Sequence, residues 1–396
     1  MASVRRRRVG VARARPAGHV DPVNGATATA PAPGPTRPPI AIIGTGALAM
    51  RFGALLARAG HAVTLAGTWA DGLRAMGERG IEVVGGGEGW FAEVGTFWIE
   101  PPSPDEHLAP HPVLPPVPPT PLILVLVKSH QTARIAPFAA RLAAADGLIV
   151  TLQNGLGNGE ALTAAAGADR VAVGITTLGA SVVGPGRVRF GGDGTVAIGR
   201  SAATAARVDR AVSWLRAAGI DAAASDDIAP AVWRKLAVNC AINPLSALLG
   251  VPNGALVEDD RTRAVLRAAA AETAAVAAAL GIALDGDVAA MAEDVARRTA
   301  ANRSSMLQDV DRGAPTEIDA INGAVVRAGE TAGVATPVNR ALWRAVVDMQ
   351  GVQGGGAHDG GPGALRSDGE GDRMRIVASL AADLVVSVAI PLDEAP

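Results

Sequence analysis

The chain has 396 residues, enough for two domains, and 49% of them are hydrophobic, so a sizeable core can be buried. A net charge of −2 gives no global basis for nucleic-acid binding. The lone cysteine, Cys240, excludes an internal disulfide framework, argues against a thiolate metal cluster and fits a reducing, cytoplasmic setting.

Met1–Pro38 is rich in Arg, Ala, Pro and Gly without apolar periodicity, which predicts a disordered extension. Its Arg5–Arg8 run is not followed by an apolar stretch and does not read as a secretory signal. Nowhere does the chain reach the roughly 20 consecutive apolar residues of a membrane helix. From Pro39 an apolar run ends in Gly44, a helical pattern extends to Ala59, and His61–Leu65 reads as a second strand. Strand, glycine turn, helix and strand in this order open a doubly wound α/β sheet. Residues 81–121 carry no clear pattern, and the prolines of 115–119 read as a surface loop. Leu122–Val127 and Leu148–Leu152 are unbroken apolar runs, as expected of parallel strands covered on both faces. Val171–Thr176, Thr195–Gly199 and the segment near Ile220 read as further strands. Beyond about Ser225, Ala-rich helical periodicity dominates through Met349. The expected organisation is an extension over 1–38, a Rossmann-type dinucleotide-binding domain over 39–225 and an all-α substrate domain over 226–350. A glycine-rich linker and tail over 351–396 complete it.

Gly44-Thr45-Gly46-Ala47-Leu48-Ala49 matches the G-x-G-x-x-A pattern between a strand and a helix. The glycines permit a tight turn and close approach of a pyrophosphate, which the helix N-terminus then faces with free N–H groups. The second strand ends in Leu65-Ala66-Gly67-Thr68-Trp69, with no acid to grip the ribose hydroxyls of NAD and no Arg to clamp a 2′-phosphate. Thr68, Arg74 and Lys128 are the nearby polar alternatives, and NADP is the favoured coenzyme.

Lys235, Asn239 and Asn243 recur at i, i+4 and i+8 and share one face of an otherwise apolar helix. Such a stripe is costly against a dry core and makes sense facing a polar ligand; a solvated face is the alternative. Ser305, Asp309, Glu317, Asp319 and Asn322 form a second polar cluster, and Gln153-Asn154-Gly155 follows an apolar strand at the edge where α/β ligands bind.

In order, the glycine loop, V-K, Q-N-G, W-x-K-L-x-x-N-x-x-I-N-P, S-S-M-L-Q-D and T-E-I-D-x-I-N-G resemble the ketopantoate reductase family over Ile40 to Val347. The resemblance implies a helical domain of the 6-phosphogluconate dehydrogenase C-terminal type and NADPH-dependent reduction of 2-dehydropantoate to pantoate, toward coenzyme A. It also implies roles. Lys235 falls on the catalytic lysine, and Asn239, Asn243 and Ser305 on substrate-binding positions. Glu317 falls on a glutamate near the substrate hydroxyl, Asn154 near nicotinamide and substrate, and Lys128 in the cofactor pocket. The family's Arg after the second strand is absent here, and His130 stands where an aromatic is usual.

For individual residues, the plainer readings are Ser305 as a helix N-cap and Glu317 as a capping or ion-pairing group. Asp309 and Asp319 read as helix-surface or domain-packing groups. The histidines show no metal-ligand spacing. The expected partner is a small 2-oxo acid, with no nucleic acid and no membrane, and the helical half offers a face for a homodimer. The rival readings are a reductase of another 2-oxo acid and a dinucleotide-binding sensor without turnover.

Overall fold

The computed structural model describes residues 37–85, 89–99 and 119–354. The expected extension up to Thr36, most of the proline loop and the tail beyond Gly354 lie outside these residues.

Twelve strands are present among the described residues. They are β1 (Arg37–Ile43), β2 (His61–Gly67), β3 (Ile81–Val84), β4 (Trp90–Ala92), β5 (Gly95–Trp98) and β6 (Thr120–Val125). The remainder are β7 (Ala143–Thr151), β8 (Val171–Thr176), β9 (Ala180–Gly184), β10 (Arg187–Phe190), β11 (Thr195–Gly199) and β12 (Asp221–Ser225). Helices α1 (Ala47–Arg58), α2 (Ala70–Arg79), α3 (Thr132–Leu142), α4 (Asn158–Ala166) and α5 (Ala205–Ala217) alternate with them. The chain then turns helical: α6 (Ala229–Leu249), α7 (Asp260–Ala279), α8 (Val288–Arg298), α9 (Ser305–Asp311), α10 (Ala324–Ala332) and α11 (Pro337–Gly354).

The main sheet runs β12-β11-β8-β7-β6-β1-β2-β5. From β8 to β5 every pairing is parallel, and β11 joins β8 antiparallel. Chain order reverses between β1 and β6, which is the switch point where ligands bind in open α/β sheets. Alternate residues of the central strands feed two cores: Ile40, Ile42, Leu122 and Leu124 pack under α1, whereas Ala41, Ile43, Ile123 and Val125 pack under α3. This double burial explains the unbroken apolar runs.

Two boundaries differ from the sequence expectation. Strand β1 starts at Arg37, inside the expected extension; Pro38 lacks an N–H but its carbonyl accepts from His61 Nδ1 at 2.9 Å. Helix α11 continues to Gly354, past the expected start of the glycine-rich linker. A second sheet, β4-β3-β10-β9, was not anticipated. Its strands are short and glycine-flanked, and buried Arg51 of α1 ties it down through the carbonyls of Gly179 (2.6 Å) and Gly192 (3.2 Å).

The helical half packs around α6, whose Trp233, Leu236, Cys240, Ala241 and Leu245 enter its core. Caps set its helix starts: the Asp259, Asp287 and Ser304 side chains accept from the N–H groups of Thr262, Ala290 and Leu307. Helix α6 ends at Gly250 in the left-handed conformation (φ 73°).

Candidate active site

The glycine turn lies at the switch point. Gly44 has φ 140°, and a Cβ there would come within 2.7 Å of the Leu126 carbonyl oxygen at the end of β6. Only glycine admits this approach. Gly46, the N-cap residue of α1, is exposed, and a Cβ there would meet nothing within 4 Å. No acidic residue stands in the first turn of α1. An open cradle of backbone N–H groups at a helix start fits a pyrophosphate. Buried Thr45 packs on Gly67 at the end of β2, Leu48 is partly accessible, and Ala49 is fully buried against the sheet.

The ends of β6 and β7 are cross-braced. Gln153 donates to the Val127 carbonyl and to Thr132 Oγ1, both at 2.8 Å, and Thr132 Oγ1 donates to Asn158 Oδ1 at 2.8 Å. Asn158 donates to the Asn154 carbonyl at 3.0 Å and fixes the turn that presents Asn154.

From the helical half, Glu317 reaches this edge. Its Oε1 accepts from the Ser129 backbone N–H at 3.1 Å and lies 3.0 Å from Ser129 Oγ. That hydroxyl also lies 2.8 Å from the Asn154 carbonyl, and its single proton serves one acceptor at a time. Glu317 Oε2 accepts from Asn154 Nδ2 at 3.4 Å and sits 3.6 Å from Lys128 Nζ. Lys128 is paired more closely with Asp309, at 2.5 Å. The structure thus turns Lys128 toward the helical half rather than leaving it to a cofactor pocket alone.

Lys235 and Asn239 are partly accessible on α6 and Asn243 is buried. Helix α6 runs without interruption through all three, so Asn243 is not a cap. Among the described residues no hydrogen bond engages these three side chains. Burial lowers the Lys235 pKa to about 8, and the Glu317 carboxylate opposes that fall. Its proton is therefore held less firmly than that of an ordinary lysine.

Ser305 is exposed at the start of α9, and the cap is its neighbour Ser304, whose Oγ accepts from Leu307 N–H at 3.0 Å. Of its two expected readings, Asp309 takes domain packing: it is 1% exposed and bridges Lys128 and Arg312. Asp319 is exposed and pairs with Arg327. His130 is exposed on the turn after Lys128 yet partly desolvated by its neighbours, which lowers its pKa against the opposing pull of Glu317. Sequence reasoning missed Ser129 and Asn158; the K-S-H and Q-N-G-x-x-N contexts held both, but only the fold brings them onto one carboxylate network. Among the described residues no cluster of His, Cys, Asp or Glu is placed to hold a metal ion, and no helix is long and apolar enough to cross a membrane.

Comparison with known proteins accounts for the two halves together. The family model described as ketopantoate reductase PanE/ApbA matches residues 40–203, and its C-terminal counterpart matches 227–350. The 2-dehydropantoate 2-reductase of Halobacterium salinarum is 38% identical, over 76% of this chain and 96% of its own length. That of Archaeoglobus fulgidus is 35% identical, over 80% and 98%. Among solved structures, a D-mandelate dehydrogenase in a ternary complex with NADH and anilino(oxo)acetate is similar with TM-score 0.73 and 28% identity, over 80% of this chain and 99% of that one. A ketopantoate reductase from Ralstonia eutropha is similar with TM-score 0.69 and 31% identity, over the same shares.

Proposed function

The chain belongs to the ketopantoate reductase family, and on that premise we propose that it reduces 2-dehydropantoate to pantoate with NADPH, Lys235 handling the proton. The observation that carries this reading is the Lys235 ammonium, which no hydrogen bond engages among the described residues and whose pKa is lowered to about 8, facing a Glu317 carboxylate pinned to the edge of the dinucleotide sheet. A group titrating near the working pH is suited to general acid–base chemistry.

In this reading the turn Gly44–Ala49 holds the pyrophosphate, and Lys128, Asn154 and Glu317 border the nicotinamide end. When bound, the reduced nicotinamide supplies the hydride. Lys235 donates a hydrogen bond from Nζ to the carbonyl oxygen of the 2-oxo acid. It stabilises the negative charge that builds there and passes its proton to that oxygen. Asn239, Asn243 and Ser305 orient the carboxylate and carbonyl, and Glu317 and Asn154 hold the substrate hydroxyl. Ser129 and Lys128 keep Glu317 in place. The end of β2 offers no carboxylate to a ribose diol, which favours NADPH.

A second reading has one observation in its favour, the likeness to a D-mandelate dehydrogenase bound to NADH. It assigns the same machinery to another 2-oxo acid with NADH. The discriminating experiment follows the absorbance of NADPH and of NADH with ketopantoate and with an aryl 2-oxo acid, for the wild type and Lys235→Ala. Turnover of ketopantoate with NADPH that collapses in the variant supports the first reading. Turnover confined to the aryl acid or to NADH replaces it with the second. A chain that binds coenzyme and turns over neither acid points to a further 2-oxo acid or to a sensor without turnover.

A further inference from the structure

Pro244 lies inside α6 and has no N–H to give the carbonyl of Cys240, one turn earlier. That carbonyl lies in the core and needs another donor. Asn322, fully buried, supplies it: Nδ2 donates to the Cys240 oxygen at 3.1 Å and to Asn339 Oδ1 at 3.0 Å. Asn339 in turn donates to the Ala269 carbonyl at 3.0 Å and to Glu272 Oε2 at 2.8 Å. Glu272 also accepts the backbone N–H groups of Val338 and Asn339. One buried line thus joins α6, α11 and α7.

Asn322 itself belongs to a π-turn, Asp319–Gly323, that leads into α10. The turn begins on the Glu317 carbonyl, which accepts from Ala320 and Ile321, and Gly323 N–H bonds Ile318 at 3.1 Å. Its Ala320 carbonyl accepts from Leu156 N–H at 2.9 Å, in the loop that presents Asn154. Such turns are rare, and they occur frequently at functional sites.

We propose that Asn322 is a positioning residue for the reaction: it fastens the proline-containing turn of the helix carrying Lys235 and Asn239 to the π-turn that follows Glu317 and docks the Asn154 loop. The assignment of the reaction rests on the function proposed above, whereas the positioning itself is a property of the fold. An alanine at 322 would leave the Cys240 carbonyl unsatisfied. This turn of α6 could then shift against the π-turn, and the separation of Lys235 from Glu317 would no longer be fixed. The opposition of burial and Glu317 at Lys235 makes that separation measurable.

The test compares the full-length wild type with Asn322→Ala and with Asn322→Ser, which keeps one donor. Competitive acylation with acetic anhydride across pH, read by mass spectrometry on the Lys235 peptide, gives the lysine pKa without substrate. Steady-state kinetics with ketopantoate and NADPH give kcat and KM. The expected result is a Lys235 pKa below the wild-type value and a kcat reduced about tenfold or more, KM changing less, as for a misplaced reacting group. Asn322→Ser should recover part of both, and it carries the same readings if Asn322→Ala fails to fold. Variants that lose only thermal stability, with Lys235 titrating at or above the wild-type value and kcat unchanged, overturn the proposal. A wild type inert toward ketopantoate would count against the proposed function alone, since the labelling still reads the lysine.

Discussion

Gly155 and Ala320, from opposite halves of the chain, meet so closely that a Cβ on the first would lie 2.3 Å from the carbonyl oxygen of the second. Gly155 has φ 81°, and the next residue donates its N–H to that same oxygen. In Gly155→Ala the left-handed backbone alone costs about 1–2 kcal/mol. The methyl group must also push the Asn154 turn off the π-turn. We expect a lower unfolding midpoint together with a kcat reduced on the order of a hundredfold, the effect of displacing a site group by about 1 Å. Melting curves and steady-state rates on the same preparation check both; a destabilised variant with wild-type kcat would show that the contact serves the fold alone.

The same contact explains what could be read in advance. The glycine loop, the central strands and the Lys235-Asn239-Asn243 stripe are local patterns, carried by period and spacing within one element. What stayed hidden depends on segments far apart in sequence. Whether Asp309 is a surface or a domain-packing acid is undecided until Lys128, 181 residues away, folds onto it. Ser129 looks like ordinary loop polarity until Glu317 accepts its N–H. The second sheet failed to show because β3, β4, β9 and β10 have three to five residues each, too few for alternation to stand out. Pro244 signals a helix end by local rules, yet α6 continues because Asn322 satisfies the carbonyl that the proline abandons.

The proposed role of Lys235 predicts a pH dependence. Its pKa is about 8, lowered by burial and held up in part by Glu317. With Lys235 as the proton donor proposed above, reduction uses the protonated form, so the rate should be level on the acid side and fall as pH rises through that value. In Glu317→Gln the supporting charge is gone, so the fall should move to lower pH. Lys235→Ala should lose about 10²–10⁴-fold in kcat, the usual contribution of one acid–base group. Profiles of kcat against pH for the three proteins are the check; a Glu317→Gln profile that falls at the wild-type pH would break the electrostatic link.

His61 gives a stability test away from the site. It is 4% exposed, its Nδ1 faces the Pro38 carbonyl, and its ring meets Trp214 edge-on at 5.9 Å. Burial lowers its pKa below 6.5, outweighing the Pro38 hydrogen bond. The unfolded chain therefore binds this proton more readily than the folded one. The stability contribution is complete above the unfolded pKa, near 6.5, and is lost as pH falls through the lower folded value. Thermal unfolding followed from neutral to mildly acidic pH should show a steeper loss for the wild type than for His61→Gln. Parallel curves would mean that His61 is not the group being protonated.

The two loop glycines separate folding from coenzyme binding. At Gly44 the backbone has φ 140° and a Cβ would stand 2.7 Å from the Leu126 oxygen, so Gly44→Ala must distort the junction of β1 and β6. It should lower stability and coenzyme affinity together. Gly46 has φ −78° and open space where a Cβ would go. Gly46→Ala should therefore keep its unfolding free energy within about 0.5 kcal/mol, as exposed substitutions generally do. The added methyl group occupies the cradle itself, and NADPH should bind about tenfold or more weakly, a loss of about 1.4 kcal/mol or more. Fluorescence titration with NADPH beside denaturant unfolding of the three proteins reads both quantities. Unaltered NADPH affinity in a well-folded Gly46→Ala would mean that the pyrophosphate does not approach at the start of α1, and the assignment of the dinucleotide site would have to move.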